Sequence, residues 1–159
     1  MLNHMKGNLI DLAEEGEFNV IVHGCNCHHT MGSGIAREIR ERYPQAYAAD
    51  LTTPKSDRSK LGTYSATATD DFIIINAYTQ YDFMPRGKDH FEYEAFKKIL
   101  DDLEERAKNS VGVIPLSFGF PYIGMGLAGG DPERIIALLE DFARRVDKYD
   151  ATVTLVEFA

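Results

Sequence analysis

The sequence predicts a three-layer α/β domain with a mixed or mostly parallel central sheet, and three observations predict it. Short apolar runs rich in β-branched residues alternate with stretches whose apolar residues recur at helical spacing, as when strands are linked by helices. Two glycine-rich segments, Met31–Gly34 and Ser117–Gly130, each follow such a run and precede such a stretch. The chain has 159 residues, 44% of them hydrophobic, which suffices for one core; residues 1–159 are read as a single domain.

Residues 1–12 read as a strand running into a turn or short helix, and Glu14–Glu17 as a polar connector. The organising stretch is Phe18–Tyr43. Val20, Ile21 and Val22 have the length and branching of a buried strand, which breaks at Gly24. Polar and small residues follow, then Met31-Gly32-Ser33-Gly34, and Ile35, Ala36, Ile39 and Tyr43 resume at helical spacing. Pro44 forces a break, after which Gln45–Leu51 reads as a second helical piece. Thr52–Leu61 reads as a surface loop whose Lys55, Arg58 and Lys60 are solvated.

Gly62–Thr69 alternates like a half-exposed strand, Asp70-Asp71 turns, and Phe72–Ala77 is a central strand, so the pair forms a hairpin. The segment Tyr78–His90, with Pro85 and Gly87 as breakers, is a loop long enough to carry function. Glu92–Lys108 places Phe96, Ile99, Leu100, Leu103 and Ala107 on one face of an amphipathic helix. Val111–Leu116 reads as a buried strand and Ser117–Gly130 as the second glycine loop. Asp131 is placed to cap a helix that opens on Pro132 and Glu133 and runs to about Tyr149. Thr152–Phe158 is the last strand.

Composition narrows the function. No apolar segment approaches the ~20 residues that span a bilayer, and Met1–Leu12 lacks the apolar run of a signal peptide, so no membrane partner and a cytoplasmic location are expected. Cys25 and Cys27 are too close in sequence for an ordinary disulfide and read as reduced thiols. Cys25-Asn26-Cys27-His28-His29 has the composition of a metal site. Structural zinc, however, brings a second ligand pair from elsewhere, and His4, His23 and His90 form none; no metal and no cofactor are expected. A net charge of −8 argues against bulk binding of nucleic acid. An anionic ligand must then be held locally, by main-chain N–H groups and helix ends. A monomer is expected.

A strand, a glycine loop and a helix in succession can cradle a phosphate, because glycine admits close approach and the helix presents free N–H groups at its positive end. Steric need at a turn explains a single such loop equally well. Residues 31–36 also lack the Lys-Ser/Thr of a P-loop and the third glycine of a dinucleotide fingerprint. Two such loops at the carboxyl ends of strands in one sheet are a stronger signal, and point to an extended, multiply phosphorylated ligand.

Four segments in order carry a resemblance to the macro domain family: Gly7-Asn8-Leu9-Ile10; Ile21–Cys27 together with Met31–Ala36; Asn76-Ala77-Tyr78-Thr79-Gln80; and Pro121–Asp131. They span almost the whole chain. Within the family the chain most resembles the branch containing the yeast ADP-ribose 1''-phosphate phosphatase, which shares the His-x-Cys-Asn-Cys run; it also resembles the branch that removes ADP-ribose from proteins or nucleic acid. The resemblance implies a three-layer α/β/α fold and, as partner, ADP-ribose or a derivative. Adenine would lie near Asn8, Leu9 and Ile10, the diphosphate between Gly32, Ser33, Gly34, Ile35 and Gly124, Met125, Gly126, Leu127, and the distal ribose near Asn26 and Asp131. Three positions depart from the family pattern: Asn8 stands where most members have aspartate, Gln80 where the glutamate-removing branch has lysine, and Pro132 where many have tryptophan.

His23, Asn26 and Asp131 are the candidate catalytic residues. Asn26 offers a donor and an acceptor to ribose hydroxyls. His23 or Asp131 would handle a proton while loop amides stabilise developing charge. The competing roles are a packed strand-end histidine for His23 and a plain helix cap for Asp131. Tyr122 or Phe120 would pack on a sugar or base, or belong to the core. Adjacent His28 and His29 cannot both face one ligand. The expected activity is removal of phosphate from ADP-ribose 1''-phosphate; the alternatives are an ADP-ribosyl hydrolase acting on protein or nucleic-acid adducts, for which Gln80 offers no amine nucleophile, and a non-catalytic ADP-ribose reader.

Overall fold

Six strands form one twisted sheet in the computed structural model, which describes residues 1–85 and 88–159. They are β1 (Leu2–Lys6), β2 (Val20–Cys25), β3 (Tyr64–Ala68), β4 (Ile73–Tyr78), β5 (Ser117–Phe120) and β6 (Thr152–Glu157), in the spatial order β1-β6-β5-β2-β4-β3. All neighbours pair in parallel except β3 and β4, the hairpin at one edge. Gly87, read in the sequence as a breaker, lies outside the described residues.

Period-two alternation sends successive side chains of each strand to opposite faces, and the helices cover both. One face carries Ile21, Cys25, Ile74 and Tyr78, packed under α1 (Leu9–Glu14), α2 (Gly34–Arg42) and α3 (Pro44–Leu51). The other carries Val20, Val22, Ile75, Phe118, Phe120 and Leu155, packed under α4 (Tyr93–Asn109) and α5 (Pro132–Val146). Phe96, Phe118, Phe120 and Phe142 meet there edge to face, a geometry that adds about 0.5–1.5 kcal/mol per pair beyond burial. The result is the expected three-layer fold with a mixed sheet. Among the described residues no helix is long and apolar enough to cross a membrane.

Two expectations fail locally. Val111–Leu116 is not a buried strand: Val111, Val113 and Ile114 are exposed, and β5 begins only at Ser117. Pro115 has no N–H to give a ladder, and Gly112 turns the chain at φ +80°. Pairing starts where Thr152 N–H reaches Leu116 O at 3.0 Å and Asn19 Oδ1 accepts from Ser117 N–H at 2.8 Å. Lys60 is not solvated either. It is 3% exposed, with Nζ 4.3 Å above the Tyr78 ring, in a polar cluster where Tyr78 donates to Asp50 Oδ1 at 2.6 Å.

Candidate functional site

β2 and β5 are parallel neighbours, so the loops that leave their carboxyl ends emerge side by side. Between those loops lies a cavity of about 460 Å³, lined from the β2 side by Asn26, Thr30 and Gly32–Ala36 and from the β5 side by Pro121–Gly124 and Gly126–Ala128. A second cavity of about 400 Å³ shares Gly34, Ile35 and Pro121 with the first and continues past Leu9, Val156 and Phe158. The two cavities thus adjoin at the three shared residues, the second apolar and the first bordered by both glycine loops.

The β2 loop is shaped by side chains. Asn26 Nδ2 donates to Thr30 Oγ1 at 2.6 Å, and Asn26 Oδ1 accepts the His28 N–H at 2.8 Å. The His28 ring is held between Ser56 Oγ at 2.7 Å and Asp82 Oδ1 at 2.8 Å. His29 and Met31 take positive φ (60° and 40°), a conformation costly for residues with a side chain and kept only where the surroundings enforce it. The loop ends at Ser33, which precedes α2 in an extended conformation and makes no side-chain cap. The first-turn N–H groups of α2 are therefore left to face the cavity, where the helix dipole favours an anion.

The β5 loop is shaped by its backbone. Met125 N–H donates to Tyr122 O at 3.1 Å, Gly129 N–H to Gly126 O at 3.0 Å and Gly130 N–H to Gly124 O at 2.7 Å. Gly124 sits at φ +72°, and a Cβ there would overlap the Phe91 ring. A cradle this tight requires glycine.

The structure separates the three catalytic candidates. Asn26 lines the cavity. His23 shares the sheet face of Ile21 and Cys25 and is fully buried, with Nε2 2.6 Å from Asn76 Oδ1. Asn76 Nδ2 donates to Ala46 O and Ser65 Oγ, so its oxygen must face His23 and the imidazole Nε2 carries the proton. Burial lowers the His23 pKa to about 4, against the opposing effect of the Asn76 hydrogen bond; the ring is neutral at pH 7. Asp131 lies outside the lining and caps α5, its Oδ1 accepting from Glu133 N–H at 3.0 Å.

The binding residues divide as well. Gly32, Ser33, Gly34, Ile35, Gly124, Gly126 and Leu127 line the cavity, whereas Met125 turns toward the α4–α5 core. Leu9 lines the apolar end, Ile10 is fully buried, and Asn8 caps α1, accepting from Asp11 N–H at 3.0 Å. Tyr122 lines the cavity and Phe120 belongs to the core. Gln80, Phe83, Cys25, Thr30 and Ala128 also reach it, and the sequence alone marks none of these as a ligand contact. Cys25 is no thiolate: burial pushes its pKa well above the usual thiol value. Among the described residues no group of three or more His, Cys, Asp or Glu could hold a metal ion.

The family model for the macro domain matches residues 22–139. The 17.5 kDa protein of the tk-vs intergenic region of Enterobacteria phage T4 is 33% identical over 152 residues, covering 92% of this chain and 93% of its own. An ADP-ribose 1''-phosphate phosphatase of Ajellomyces capsulatus is 40% identical over 47 residues, 30% of this chain and 17% of that one. Among solved structures, the macrodomain of Mycobacterium tuberculosis DarG superposes with a TM-score of 0.71 at 18% identity, covering 99% of this chain and 97% of that chain. The Trypanosoma brucei macrodomain in complex with ADP-ribose does so with a TM-score of 0.67 at 13% identity, covering 99% and 63%. With its sheet order, its paired loops and a family match over most of its length, this chain belongs to the macro domain family.

Proposed function

We propose that this macro domain binds ADP-ribose and removes the phosphate from its 1''-phosphate derivative. The observation that carries the binding reading is the pair of adjoining cavities, an apolar slot and a cavity between the two glycine loops, that share Gly34, Ile35 and Pro121. An adenosine fits the slot end, a diphosphate the free amides of α2 and the β5 loop, and the distal ribose the end marked by Asn26. Such a cradle suits a protein of net charge −8, since it holds anions without basic side chains. The Trypanosoma brucei relative, in complex with ADP-ribose, supports the ligand class.

The phosphatase reading is supported by the short match to an ADP-ribose 1''-phosphate phosphatase and by Gln80 in the lining, which offers no amine for attack on the sugar. In this reading water attacks phosphorus, the bond from phosphorus to the 1''-oxygen breaks, and phosphate and ADP-ribose leave. Asn26 orients the distal ribose, and main-chain N–H groups take the charge that develops on the phosphoryl oxygens. The described lining of the larger cavity holds no carboxylate, imidazole or amine, so one proton of the attacking water passes by way of a phosphoryl oxygen to the departing 1''-oxygen and the other stays on the phosphate. A reader without turnover is the second reading that this lining favours. Calorimetry with ADP-ribose, paired with phosphate release from ADP-ribose 1''-phosphate, tests both: binding with release supports the phosphatase, binding without release leaves the reader, and no binding removes both.

A further inference from the structure

The apolar slot contains one polar side chain. Its lining is Gly7, Leu9, Gly34, Ile35, Pro121, Val156, Phe158 and, from the second turn of α2, Glu38. Glu38 does not swing freely. Asn8 Nδ2 donates to its Oε1 at 2.8 Å and Arg42 Nη1 donates to the same oxygen at 3.0 Å. Every hydrogen bond it makes to the described residues falls on Oε1, which leaves Oε2 to accept from a ligand.

Asn8 does not take that part, because it lies outside the slot lining; its side chain caps α1 through the Asp11 N–H and donates to Glu38. The asparagine fixes the carboxylate, and the carboxylate meets the ligand. An ionised carboxylate only accepts hydrogen bonds, so an apolar slot with one such group selects a ring that bears a donor at its edge.

We propose that Glu38 is the base-selecting residue of the cleft, accepting from the exocyclic amino group of adenine and rejecting a purine that carries a keto oxygen in its place. The assignment rests on the ADP-ribose reading above and names a residue within it. Rejection follows because the keto oxygen would face Oε2 with no proton between them, and the donor that such a ring keeps on this edge, N1–H, stands one position away from the amino group it replaces.

Glu38→Gln is the discriminating variant. The glutamine oxygen still accepts from Asn8 and Arg42, while its amide turns a donor toward the slot. Binding of ADP-ribose and of inosine diphosphate ribose, which has the keto group, is measured by calorimetry for both proteins, with thermal melting as a check on folding. The wild type is expected to favour ADP-ribose by roughly 10- to 100-fold, and Glu38→Gln to abolish or reverse that preference. Binding of ribose 5-phosphate, which does not reach the slot, is expected to be equal in the two proteins. Tight ADP-ribose binding with the same preference in both proteins overturns the role of Glu38 and leaves the ADP-ribose reading intact. Absence of ADP-ribose binding to the wild type overturns both.

Discussion

The two loops that flank the cleft are fixed by different means. The β2 loop is tied by side chains, several of them from distant segments: Asn26 to Thr30, His28 to Ser56 and Asp82, His29 to Thr53, and Arg40 to the Thr30 carbonyl. The β5 loop is closed by its own peptide groups and by the missing side chains of Gly124 and Gly130. A loop held by side chains can be tuned one contact at a time. A loop held by backbone is insensitive to pH but fails outright when a Cβ is added.

The sharpest way to break the comparison is Gly124→Ala. The substitution combines a left-handed backbone, which costs roughly 1–2 kcal/mol for a residue with a side chain, and overpacking against Phe91, which costs about 1–3 kcal/mol. Denaturant unfolding is expected to show a loss of about 2–5 kcal/mol, and ADP-ribose affinity to fall by more than ~10-fold. Unchanged binding would mean that the β5 loop does not hold the ligand.

Acid should act on the other side. His23 ends the buried stretch of β2 that leads into its loop, and burial depresses its pKa from 6.5 to about 4. The unfolded chain then binds a proton that the folded one refuses, so this stabilisation is complete above pH 6.5 and is lost as pH falls toward about 4. The loss is on the order of 3 kcal/mol at the lower end. Glutamine keeps a donor for Asn76 Oδ1 but does not titrate. The difference between wild type and His23→Gln in urea unfolding should therefore change by that amount between pH 7 and pH 4; a constant difference would show that His23 is solvated.

Most of the architecture was legible in the sequence, because strands and helices follow from periods that each segment carries by itself. The β2 loop with its helix, the capped start of α5 and the hairpin of β3 and β4 all read directly. β5 did not: Val111, Val113 and Ile114 have strand composition, yet Pro115 and the turn at Gly112 leave them exposed. The amide cradles were legible through their glycines, whereas the residues that brace the β2 loop were not. His28 meets Ser56 and Asp82 across 28 and 54 positions, and no local pattern marks such a meeting. Glu38 looks like any surface charge on a helix until the fold sets it beside Leu9 and Phe158. His23 shows a third limit: alternation puts it on the face of Cys25, which reaches the cavity, but only the fold shows that the imidazole is fully buried against Asn76 and stops short of it.

Asn26→Ala separates the two loops by function. It removes the two hydrogen bonds that shape the β2 loop from within and the group that the proposed function sets beside the distal ribose, so turnover of ADP-ribose 1''-phosphate is expected to fall by about 10²-fold. ADP-ribose affinity should change less, because the α2 and β5 amides remain. A variant with wild-type turnover would place the reacting end of the ligand elsewhere.

The smallest effect is expected at Asp131, where the β5 loop enters α5. Its carboxylate satisfies the Glu133 N–H, and its own N–H donates to Tyr93 Oη at 2.9 Å, so the side chain works as a cap and the backbone as a tether. Asp131→Ala removes only the cap, worth about 1 kcal/mol of stability. Asp131→Asn keeps an accepting oxygen, and should restore most of that loss while removing the charge. If the residue is only a cap, both variants turn over within a few-fold of wild type. A fall of 10²-fold in both, with asparagine rescuing stability but not rate, would bring the carboxylate into contact with substrate and make the β5 loop, too, a place where a side chain decides function.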